Sequence, residues 1–143
     1  MTTTWEKLEG AALSLVCSGP IKDRLAAAYR NHLAFVRVED LPEALREDFR
    51  ACHEALTRER PLRGEDAVRA TVRKMSSTEA DQLACLVVRL FAAIVREYAA
   101  DEAHALVAAN GNGVELNGAA PNGFSGLAAG AHARNGAARE IAL

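Results

Sequence analysis

His32 lies between Tyr29 and Leu33 on the apolar arc of a helical pattern. An imidazole there can exchange a proton near neutral pH or ligate a metal. No second His or Cys stands three or four residues away in that segment, so one helix offers no chelating pair. The residue therefore reads as a core histidine hydrogen-bonded to a carbonyl or carboxylate. Cys52 and His53 are neighbours in sequence. Adjacent helical side chains diverge by about 100°, so the two cannot easily hold one ion. Thiol catalysis also needs a base, an orienting acid and an oxyanion donor, and no such frame accompanies them. Cofactor, metal and catalytic residues are all expected to be absent.

The strongest charge anomaly lies at 57–74. Arg58, Arg60, Arg63, Arg69, Arg73 and Lys74 stand against Glu59, Glu65 and Asp66, a local excess of three positive charges. At 39–54 the sign reverses, with Glu39, Asp40, Glu43, Glu47, Asp48 and Glu54 against Arg46 and Arg50. One reading makes the basic stretch an anion- or partner-binding surface with Arg69 and Arg73 side by side. The simpler reading pairs the two patches with each other and adds a Glu65–Arg69 pair at i,i+4.

A second seam is formed by Gln82, Arg89 and Arg96, seven residues apart in a strongly apolar segment. The positions four residues either side of Arg89 are Cys85 and Ala93, so any acid must come from another helix or another chain. The seam is a helix–helix or dimer contact, or a solvated strip whose arginine stems lie along apolar surface. The break at Met75-Ser76-Ser77 has the spacing of a helix-turn-helix. A recognition helix needs an exposed N-terminal face, whereas this one is largely apolar and begins with Glu79 and Asp81, which repel phosphate. A single break in a bundle accounts better for it.

The elements that must carry these residues are helical. The 143-residue chain is 50% apolar and 25% charged, with 5% aromatics and 30 alanines. Such a composition excludes collagen-like, disulfide-framework and wholly disordered chains. It leaves little aromatic surface for stacking on bases or sugars. The net charge of −2 supplies no general attraction to nucleic acid or anionic lipid. Cys17, Cys52 and Cys85 form no metal-type spacing, and each falls in a helical pattern as a small apolar filler. The N-terminus lacks a signal-peptide pattern. The longest apolar run, 83–95, contains Arg89 and is too short to span a bilayer. These features predict a cytoplasmic protein without a membrane segment.

Helical periodicity covers 3–107. The first helix opens on a capping box, Thr3 to Glu6, carries Trp5, Leu8, Ala12, Leu15 and Val16 on one face, and stops at Gly19-Pro20. The second runs through Ile21, Leu25, Ala28, Tyr29, His32, Leu33 and Val36. The third opens on a box from Asp40 to Glu43, with Pro42 in its first turn, and carries Leu41, Leu45, Phe49, Cys52 and Leu56. A short fourth, about 65–75, carries Ala67, Val68, Thr71, Val72 and Met75. Ser76 and Glu79 box the start of the longest, which runs to about 103 and is apolar over more than half its circumference. A helix that apolar must be packed by several neighbours. The expectation is an all-α bundle of four main helices plus one short helix, domain 1–107. The glycine- and Asn-Gly-rich stretch 108–143 reads as a flexible tail.

Function follows less directly. The expected activity is a small non-enzymatic interaction or regulatory module acting through a protein partner or self-association. Its candidate contact residues are Arg58, Arg60, Arg63, Arg69, Arg73, Lys74, Gln82, Arg89 and Arg96. The alternative is a nucleic-acid-associated regulator using the arginine-rich 58–74 surface.

Overall fold

A computed structural model describes residues 1–111 of the chain. The Asn-Gly stretch from Asn112 onward, with the remainder of the expected tail, lies outside the described residues. Five α-helices follow one another: α1 (Thr4–Leu15), α2 (Ile21–Asn31), α3 (Glu43–Thr57), α4 (Ala67–Lys74) and α5 (Ser77–Asn110). Four are long and α4 has 8 residues, so the fold is the expected all-α arrangement. Among the described residues there is no strand.

The first capping box forms completely. The Thr3 side chain accepts from the Glu6 backbone, and the Glu6 carboxylate accepts from the Thr3 N–H at 2.6 Å. Val16 caps the other end of α1, leaving Gly19 at φ 113° in the turn, a conformation that favours glycine.

Three local expectations are corrected. α2 ends at Asn31 rather than continuing through Val36. Leu33–Phe35 forms a 3₁₀ turn that still buries Leu33 and Val36, because the apolar pair follows the core after the helix stops. α3 has no Asp40–Glu43 capping box. Pro42 occupies its N-cap without a side-chain bond, and Asp40 belongs to a second 3₁₀ turn, Val38–Asp40. The Ser76 hydroxyl does cap α5 by accepting from the Glu79 N–H at 3.1 Å. α5 then runs 34 residues to Asn110, three residues into the segment read as tail.

The core gathers Leu8, Leu15, Leu25, Leu56, Val87 and Ile94 from four of the helices. α1, α2 and α3 each pack on α5, and α4 is held by α2 and α3. α5 contributes one stripe, Ala80, Ala84, Val87, Leu90 and Ile94, at three- and four-residue steps. That stripe has the period of a helix buried on one side. Several neighbours do pack α5, as its composition requires, but they do not surround it. Val88, Val95 and Tyr98 remain exposed, as does every residue from Val95 to Asn110. Those 16 residues extend about 24 Å at the helical rise.

Candidate functional site

The basic stretch 57–74 is largely occupied by its own carboxylates. Arg58, just past α3, reaches Glu79 in the first turn of α5 at 2.7 Å. Lys74 donates to Glu59 at 2.6 Å. Arg73 grips both oxygens of Glu65, at 3.2 and 3.3 Å. Arg69 lies 3.8 Å from Asp23 of α2. These contacts hold the carboxyls of Glu59, Glu65 and Glu79 below their ordinary range, the hydrogen bond from the basic partner being the largest cause. Arg60 and Arg63, in the loop before α4, make no ion pair among the described residues.

Internal pairing therefore dominates here, but with different partners from those expected. Glu65 joins Arg73 and not Arg69, because α4 begins at Ala67 and Glu65 precedes its N-cap. The acids of 39–54 do not neutralise the arginines. Glu39 and Asp40 lie within 4.0 Å of Arg37 only, and Glu43, Glu47, Asp48 and Glu54 make no ion pair among the described residues.

Asp66 is a polar residue whose role was missed. Its side chain accepts from the Arg69 N–H at 2.7 Å, capping α4, and from Arg30 of α2 at 2.5 Å. One carboxylate thus starts a helix and ties it to a neighbour. An Asp directly before the apolar Ala67-Val68 was the available signal.

Among the described residues, the histidines and cysteines singled out by the sequence occupy separate surroundings. His32 follows the last residue of α2 and is half-buried. Its ring lies against Gly10 of α1, where an added Cβ would stand 2.5 Å from Cε1 and Nδ1. Among the described residues, the expected carbonyl or carboxylate partner is not seen. His53 is exposed and shares a 3.2 Å hydrogen bond with the Tyr29 hydroxyl. Cys52 is buried, and burial pushes its thiol up to about 12, where the thiolate is scarce. Cys17 and Cys85 are exposed and are not core fillers. Among the described residues no cluster of three metal-ligating side chains occurs.

The outer surface of α5 presents the open ground. Gln82, Arg89 and Arg96 are all exposed, and neither arginine has an ion-pair partner among the described residues. On one side the seam borders a groove of about 400 Å³ between α3 and α5. Leu45, Leu86, Leu90 and Ala93 form its apolar surface, and Asp48, Arg89 and Arg96 supply its charge. On the other side lies the contact of α1 with α5. Two shallow grooves open there, about 390 Å³ beside Val16 and Val88 and about 270 Å³ beside Trp5, Val95 and Tyr98. Val16 is 77% exposed, and Val88, Val95 and Tyr98 are each above 40%.

No family model matches the chain, and no curated protein or solved structure matches it either. Among the described residues no helix is long and apolar enough to cross a membrane.

Proposed function

We propose that this chain is a small non-enzymatic helical module that works through protein–protein contact. The carrying observation is the uncovered outer face of α1 and α5. There Trp5, Val16, Val88, Val95 and Tyr98 lie exposed beside two unpaired arginines. Isolated helical segments of this length are marginal in water, so the projecting end of α5 gains stability from a partner. The occupant that fits is a protein surface with an apolar ridge for the α1–α5 grooves and a carboxylate edge toward Arg89 and Arg96. Exposed apolar surface with a polar rim has the anatomy of an interface core and its border.

The test is affinity capture from the native host in the presence of nuclease, comparing wild type with a Val88→Asp/Val95→Asp variant. Both positions are exposed, so the fold should survive. A partner retained by wild type and lost by the variant supports the reading. Identical protein profiles for the two chains would sink it.

Nucleic-acid binding through 58–74 is less well supported. Arg58, Arg69, Arg73 and Lys74 have carboxylate neighbours, leaving Arg60 and Arg63 as the uncommitted cations of that stretch. It predicts retention on nucleic acid that weakens steeply with salt and with Arg69→Ala/Arg73→Ala.

A further inference from the structure

We infer that the α3–α5 face is self-complementary and pairs with the same face of a second copy. The inference rests on the proposed protein-contact role and names the occupant of one part of that surface, the seam on the α3 side of α5.

Charge complementarity carries it. Arg89 and Arg96 stand on the α5 wall of a groove with apolar lining. On α3 are Glu43, Glu47 and Asp48, all exposed and likewise without an ion-pair partner among the described residues. The neighbouring Arg46 does not neutralise them. It turns inward to the backbone, donating to the Leu41 carbonyl at 3.0 Å and the Glu39 carbonyl at 3.3 Å. Arg50 is the remaining cation on that side of α3 and is exposed. Elsewhere the molecule brings unlike charges within reach, as at Arg58–Glu79 and Lys74–Glu59. Here it keeps them on adjacent helices without joining them.

A two-fold axis running in the interface along the groove resolves this arrangement. It sets α5 of each copy over α3 of the other, so Arg89 and Arg96 meet the partner's acidic row twice, once in each direction. Isologous contacts have this reciprocity. The half-buried Leu86 and Ala93 of the groove are then covered by the partner, and the charged pairs form the rim.

Sedimentation velocity on the full chain across a concentration series tests the pairing. The expected wild-type mass approaches twice 15.3 kDa at low salt and falls toward the monomer as salt rises. Arg89→Glu/Arg96→Glu and Glu43→Lys/Glu47→Lys each weaken self-association roughly tenfold or more. An equimolar mixture of the two variants restores a dimer, because each then offers the charge that the other lacks. Circular dichroism checks that both remain helical. The milder Arg89→Gln/Arg96→Gln, expected to weaken pairing less, replaces the reversal if it does not. A wild type that stays monomeric, a dimer indifferent to these changes, or a mixture that does not recover overturns the inference. If the chain is monomeric yet loses its partner through Val88→Asp/Val95→Asp, self-pairing alone is removed and the docking role stands.

Discussion

At the scale of single residues, the informative contacts join groups far apart in the chain. Gly10 is mid-helix, where alanine is worth about 1 kcal/mol more than glycine in helical propensity. It stays bare because the His32 ring occupies the space of its Cβ. Gly10→Ala should therefore lose stability alone and gain it when His32 is also alanine. The coupling in a urea-unfolding double-mutant cycle should be about 1–3 kcal/mol, the usual cost of overpacking. Additive single effects would mean that the ring yields freely. The three thiols should also divide. Cys17 and Cys85 are exposed and should be modified quickly by a thiol reagent, whereas Cys52 should react only on unfolding. Burial raises its thiol, so the native protein offers little thiolate there.

Among the elements, α4 depends most on electrostatics. It is 8 residues long and is capped by Asp66, which also binds Arg30 of α2. Asp66→Ala should cost about 1–2 kcal/mol in urea unfolding, as expected for a lost N-cap. An effect near zero would show that packing of Val68 and Val72 suffices. The same ties give stability a pH dependence. Arg30, Lys74, Arg73 and Arg58 hold the carboxyls of Asp66, Glu59, Glu65 and Glu79 below their ordinary values. A depressed carboxyl contributes stability above its unfolded pKa and loses it as pH falls through the folded one. The melting temperature should accordingly decline through and below the usual carboxylate range near pH 4. High salt should reduce the decline, because these pairs are solvent-exposed.

For the whole molecule, α5 is both scaffold and projection. Its stripe from Ala80 to Ile94 closes the core, while every residue from Val95 to Asn110 is exposed and, of that stretch, Val95, Tyr98, Ala99 and Glu102 line a groove with Trp5. A chain ending at Ala103 should keep its melting temperature within a few degrees of the full chain, since only exposed helix is removed from that unit. A large drop would mean that the projecting end is already covered in the free protein. The charge-swap experiment belongs to this scale as well, because it asks whether the exposed α3–α5 face meets its own copy.

The helices and their order were determined by the sequence alone. Apolar spacing and the Thr3 and Ser76 caps act within a few residues, so periodicity and local hydrogen bonding suffice to locate them. The same geometry placed Gln82, Arg89 and Arg96 on one seam but left open whether another helix would cover it. The end of α2 and the start of α3 were misplaced, since Leu33, Val36 and Leu41 stay buried outside any α-helix. An apolar pattern records burial, and burial continues through 3₁₀ turns. Only the tertiary structure decided which carboxylate holds which arginine, why Gly10 is glycine, and which side of α5 stays bare. Those outcomes depend on distances between elements remote in sequence. A local charge count at 57–74 could not reveal that Asp23 and Glu79 would arrive from other helices.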